Sequence, residues 1–165
     1  MKKINFIILL STVMLCSGCS NDNFFDISNC MVSPSMSDEQ KNIINVVEKY
    51  LSSNFEFVYP NYGGKYSPEI DFSMGNELYK IFFCKIPFKD SGFEFHILLL
   101  KKVYENSWAV KSDFSKENFE VIKADIVKEN GNEDFAKLIV QIENDNYENS
   151  IYTFKIYDDK ILYRW

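Results

Sequence analysis

Covalent or metal chemistry needs a nucleophile, a base or a set of ligands, and this chain supplies few of each. His96 is the single histidine among 165 residues, so a multi-histidine metal centre is excluded and only one imidazole could serve as a base. Cys84 and His96 would form a thiol–imidazole dyad if their strands paired. A thiolate, however, needs a partly exposed, electropositive setting, and Ile81-Phe82-Phe83-Cys84 is an apolar run. His96 sits in a similar run and reads as a structural group, hydrogen-bonded in or beside the core. Gly63-Gly64-Lys65 lacks both the glycine spacing and the following Ser/Thr of a phosphate loop. Glu143-Asn144-Asp145-Asn146 lacks the glycine and terminal glutamate of a calcium loop. Arg164 is the only arginine, which removes anion clamps built on guanidinium forks. No catalytic residue, metal ligand or cofactor is assigned.

Two groups could serve recognition instead. Tyr59, Tyr62 and Tyr66 lie in a stretch broken by Pro60, Gly63-Gly64, Pro68 and Gly75. Such a loop on a rigid scaffold is a recognition surface, or else its rings pack on the core. Between residues 129 and 149 there are six acids and one lysine, Lys137. This reads first as a solvated acidic edge and second as a binding surface through Glu129, Glu133 and Asp134.

The elements that must position these groups follow from periodicity. Ser37-Asp38-Glu39-Gln40 fits a capping box, and Ile43, Ile44, Val46, Val47, Tyr50 and Leu51 recur at helical spacing, which predicts a helix ending near Asn54. From 55 to 75 the pattern does not choose between a short helix and a strand. Strands are predicted over Leu78–Ile86, Phe93–Tyr104, Ser107–Lys111, Phe119–Lys128, Phe135–Glu143, Ile151–Tyr157 and Lys160–Trp165. Asn130-Gly131 and Asp158-Asp159 read as hairpin turns. The second half is thus expected to be an antiparallel meander.

The chain starts with Lys2 and Lys3, an apolar run from Ile4 to Leu15, then Ser17-Gly18-Cys19. These are the three regions of a secretory signal, and the run is shorter than the roughly 20 residues of a membrane span. Leu15-Cys16-Ser17-Gly18-Cys19 resembles the lipobox of bacterial lipoproteins, with Cys16 where leucine is common. The resemblance implies cleavage after Gly18, acylation of Cys19 and retention on a membrane by several acyl chains. Ser20, being other than aspartate, implies transfer to the outer membrane in a double-membraned host. In a single-membraned host the protein would stay on the outer leaflet of the plasma membrane. In such an oxidising compartment the remaining pair, Cys30 and Cys84, is expected to form a disulfide, the other reading being two separate thiols.

Residues 1–18 are therefore expected to be a signal peptide, 19–36 a lipidated tether and 37–165 a single domain. The first 18 residues hold two of the 18 basic groups and none of the 24 acidic ones, so the mature chain, 16 basic against 24 acidic, is strongly acidic. That argues against nucleic acid as a partner. The expected fold class is α+β, with one N-terminal amphipathic helix packed on a curved antiparallel sheet of about six strands, or alternatively a β-sandwich with an added helix. Its element order resembles the cystatin-like and nuclear-transport-factor-2-like folds of small lipoproteins. The function expected is a non-enzymatic envelope module that binds another protein, as an immunity or inhibitor protein against a periplasmic toxin or hydrolase. The alternatives are an envelope-assembly or stress-response accessory, and a cone-like domain enclosing a small molecule.

Overall fold

The computed structural model describes residues 24–26, 37–105, 107–128, 134–143 and 149–164. Its elements are β1 (Phe24–Asp26), α1 (Asp38–Leu51), β2 (Glu56–Val58), β3 (Asn61–Tyr62), β4 (Lys65–Tyr66), β5 (Glu69–Met74) and β6 (Glu77–Pro87). They continue with β7 (Phe93–Tyr104), β8 (Ser107–Glu117), β9 (Glu120–Lys128), β10 (Phe135–Glu143), β11 (Asn149–Tyr157) and β12 (Lys160–Arg164). The signal, the lipobox with Cys19, and Cys30 lie outside the described residues, as do Glu129, Glu133 and the Asn130-Gly131 turn.

Helix α1 starts where the capping box places it. Gln40 N donates to Ser37 Oγ at 3.2 Å, and Ser37 N donates to Gln40 Oε1 at 3.0 Å. The helix stops at Ser52, whose left-handed conformation ends it before Asn54 is reached.

The α+β expectation is corrected. Of the described residues 67% are strand and 12% helix, and the strands form two six-stranded sheets in place of one curved sheet. Nor is the helix the first element, since β1 precedes it. The first sheet runs β1-β2-β6-β7-β8, with β5 also on β6, and the second runs β12-β11-β10-β9-β3-β4. The main core fills the space between them. Ile81, Phe83, Phe95, Ile97 and Leu99 face Leu138, Val140, Phe154 and Ile156, all wholly or nearly wholly buried. A second cluster joins Ile43, Ile44 and Val47 of α1 to Phe82, Cys84, Leu98, Leu100 and Trp108 on the other face of the first sheet. One short helix cannot cover two broad apolar faces, so the sheets cover each other. With the space between the sheets packed by Phe, Ile and Leu side chains, the expectation of a small-molecule cavity inside a cone has no support.

Two irregularities make the division. Leu99 pairs with Ser112 and Leu100 with Val110, which leaves Lys111 as an extra residue in β8. This bulge sends Trp108 and Val110 to the helix side and Phe114 to the inter-sheet side. Then Asn118 takes a positive φ of 48°, and Phe119, 1% exposed, turns into the core. Asn118 N donates to Phe93 O at 2.9 Å, and its Oδ1 accepts from Phe93 N at 3.2 Å. Gly92 beneath it has φ +84°, and a Cβ there would meet Asn118 Oδ1 at 2.6 Å, so the corner requires glycine. Among the described residues no helix is long and apolar enough to cross a membrane.

Candidate functional site

Among the described residues, a thiol and an imidazole meet on the helix side of the first sheet. Cys84 and His96 are direct cross-strand partners, and His96 Nδ1 lies 3.0 Å from Asp113 Oδ2 on β8. A cysteine, a histidine and an aspartate thus sit on three adjacent strands. Reactivity fails at the first of them: Cys84 is a free thiol with no exposed surface. Burial, and secondarily the charge of Asp113, push its pKa well up, so the thiolate is not formed at neutral pH. His96 is itself buried, with Nε2 making no hydrogen bond among the described residues and Glu94 Oε2 3.7 Å away. The arrangement is a buried polar pair in a packed face. No group of three or more His, Cys, Asp or Glu among the described residues could hold a metal ion. Cys84 lies beneath α1, and Cys30 is outside the described residues.

The residues that converge on open space lie at one end of the sandwich. A cleft of about 590 Å³ is bounded by the β5–β6 turn at Gly75-Asn76, the start of β10 at Asp134, and the β11–β12 turn at Asp158-Asp159. At its base Tyr79 closes the inner row of β6. Its hydroxyl lies 2.7 Å from both Glu77 Oε2 and Asp159 Oδ1 and donates its proton to one of them at a time. Lys101 Nζ joins the same two carboxylates, at 2.8 Å from Glu77 and 3.2 Å from Asp159. Strands of the first sheet are thereby tied to a turn of the second.

The electrostatics are mutually consistent. Burial first, then bonding to Glu77 and Asp159, push the Tyr79 phenol well up, so it stays a neutral donor. The Lys101 bond, followed by that from Tyr79, holds Glu77 below the usual glutamate range. Asp159 is partly desolvated, yet the Tyr79 and Lys101 bonds outweigh that and lower it too. Bonding to Glu77, opposed by desolvation and aided by Asp159, raises Lys101. An acid with a lowered folded-state pKa stabilises the fold above its unfolded value, and that contribution is lost as pH falls through the folded value. The tie is therefore intact at neutral pH and weakens below about pH 4. Tyr79→Phe is expected to cost about 1–2 kcal/mol at pH 7 and clearly less at pH 3. Urea midpoints at the two values check this, and an equal loss at both would show that the hydroxyl does not work through ionised partners.

Asp158 and Asp159 both have positive φ, 51° and 56°, in a two-residue turn between the paired Tyr157 and Lys160. That is the turn predicted for them, in the geometry most often filled by Asn-Gly. Asp159 uses its carboxylate in the tie, while Asp158 lines the cleft beside Asp134, Tyr157 and Met74.

Of the acids singled out from sequence, Asp134 reaches this cleft, and Glu129 and Glu133 are outside the described residues. The three tyrosines do not share a surface. Tyr59 packs with the helix-side cluster and Tyr62 with the inter-sheet core, while Tyr66 is 66% exposed on the short β4. Glu77, Tyr79 and Lys101 belong to no motif in the sequence, and Asp159 reads there only as a turn residue. One signal was present, a tyrosine in register with Ile81 and Phe83, because a phenol on a core-facing row needs a polar partner. No family model matches the chain, nor does any curated protein or solved structure.

Proposed function

We propose that this protein is a lipid-anchored envelope lipoprotein whose two-sheet domain is a non-enzymatic protein-binding module, of the kind that serves as an immunity or inhibitor protein. The anchor rests on the first 19 residues, where an apolar run ends in Leu15-Cys16-Ser17-Gly18-Cys19. Binding rests on the end cleft, which carries the proposal. Turns from separate parts of the chain bring Glu77, Asp134, Asp158 and Asp159 around one lysine and two tyrosine rings. Tyr157 is 47% exposed there. Lys101 engages Glu77 and Asp159, and Lys111 approaches Asp159 at 3.8 Å, so four carboxylates meet two amines. The cleft is open and aromatic, carries excess negative charge, and stands on a rigid base, which suits a basic side chain of a protein partner.

The test is capture from envelope extracts with a photo-crosslinker at Asn76, comparing the parent with Asp134→Lys/Asp158→Asn. The parent is expected to yield a discrete protein adduct. The double variant, in which asparagine keeps the left-handed turn at 158, is expected to fold normally and to lose at least about tenfold in adduct, because one charge is reversed and one removed at the contact. An adduct of equal yield from the double variant, or capture of lipid alone, would overturn the assignment of this cleft.

A further inference from the structure

We propose that a second cleft, on the helix side of the first sheet, binds a small organic anion bearing a flat apolar group. The space encloses about 400 Å³ and is bordered by Phe72, Leu78, Lys80, Lys102, Trp108 and Lys128, a size within the usual range of ligand sites. Three ammonium groups reach it from β6, β7 and β9. Lys80 and Lys102 stand 5.1 and 5.8 Å from the Trp108 ring centroid, and Lys128 donates to the Ser73 hydroxyl at 3.0 Å.

Two carboxylates line the same space. Glu39 accepts from Trp108 Nε1 at 2.9 Å and pairs with Lys102 at 3.4 Å, and Asp71 bonds Lys80. Three cations therefore meet two anions, and the amine bonded to a neutral hydroxyl, Lys128, marks the electropositive end. A third acid, Glu69, approaches Lys80 at 3.5 Å without lining the cleft. Glu69 and Asp71 together engage Lys80, and Glu39 engages Lys102, so the electropositive end of the cleft rests on Lys128.

The apolar part of the site is equally specific. Leu78 is 49% exposed at the border of a cleft lined by lysines, carboxylates and the edge of the nearly buried Trp108 ring, which already carries two ammonium groups. An inorganic anion would use the amines and leave Leu78 wet, and a hydrocarbon would do the reverse. A carboxylate or sulfonate on a planar apolar body satisfies both. The site shares Tyr79 with the end cleft but uses the opposite charge, so it does not depend on the protein-binding reading.

Trp108 reports on occupancy. In the full-length protein carrying Trp165→Phe, naphthalene-2-sulfonate is expected to give a saturable change in Trp108 emission below about 1 mM. Inorganic sulfate and naphthalene-2-methanol, each holding half of the chemistry, are expected to bind at least about tenfold more weakly. Lys128→Glu and Leu78→Asp, both at exposed positions, should each weaken the sulfonate about tenfold with an unchanged melting temperature. The proposal is overturned if the sulfonate gives no saturable change, if the alcohol binds equally well, or if neither substitution alters its affinity.

Discussion

Replacing Lys80 by methionine is expected to destabilise the domain by about 3 kcal/mol at pH 8 and by well under half of that near pH 4. Lys80 lies on the outer row of β6 with its side chain 8% exposed, bonded to Asp71 and 3.5 Å from Glu69. Desolvation opposes its charge, but the Asp71 bond and the charges of Glu69 and Asp71 outweigh it and raise the pKa. A raised lysine stabilises the fold at all pH values below its unfolded pKa, so the amine is fully effective across the working range.

Removing it affects the two acids differently. Asp71, well exposed, turns to water, whereas Glu69 is held at the sheet with burial raising its pKa and the charge of Lys80 as the main opposing influence. Without the amine its ionised form is left half-buried and unpaired. For an acid raised in the folded state the penalty is absent below the unfolded value, about 4.3, and grows as pH rises through the folded one. The deficit of the variant should therefore nearly close as pH falls to 4. Paired urea titrations of parent and variant at the two pH values measure it. A pH-independent difference would assign the loss to packing against Trp108 and not to charge.

Local order in this chain was legible where one residue type dominates a short window. The capping box at Ser37 and the stripe through Val47 define α1, and the runs ending at Ile86, Tyr104, Lys128 and Glu143 are strands, because backbone pairing and alternation act over a few residues. What decides the architecture acts over longer distances. The bulge at Lys111 breaks the alternation of β8, so its second half, including Phe114, did not read as a strand. Asn118 reads as any polar turn residue until the partner of Phe119 is known. The short strands β2 to β5 leave and rejoin the first sheet through a stretch of Gly and Pro whose local signals favour turns.

The sites show the same limit. Tyr79 and Asp159 lie 80 positions apart, and Lys80 meets Asp71 and Trp108 only after β5, β6 and β8 have formed. Asp134 was marked by the acidity of its neighbours, a local property. Its actual companions, Asp158 and Glu77, come from other turns. Cys84 and His96 were legible as a possible pairing and, from the apolar runs that hold them, as an unreactive one, which the burial of Cys84 bears out.

Since the two sheets cover each other, the costliest truncations should lie between them and not under α1. Phe154→Ala is expected to cost about 4 kcal/mol and Ile43→Ala about 2–3 kcal/mol, while Leu162→Ala, at an exposed position, should stay within about 0.5 kcal/mol. Phe154 is wholly buried opposite Leu138. Its ring stands 4.8 Å from that of Phe114 on the first sheet and 5.3 Å from Tyr163 on the second. Those neighbours are fixed by two different sheets, so they cannot close on the space an alanine leaves, and the cavity term adds to the lost transfer energy. Ile43 sits on a single short helix packed against the first sheet, and that helix can settle toward the sheet and recover part of the loss. Guanidinium titrations followed by near- and far-ultraviolet dichroism order the three variants. If Ile43→Ala proved costlier than Phe154→Ala, the helix face would carry the main core, and the two-sheet account of this domain's stability would have to be abandoned.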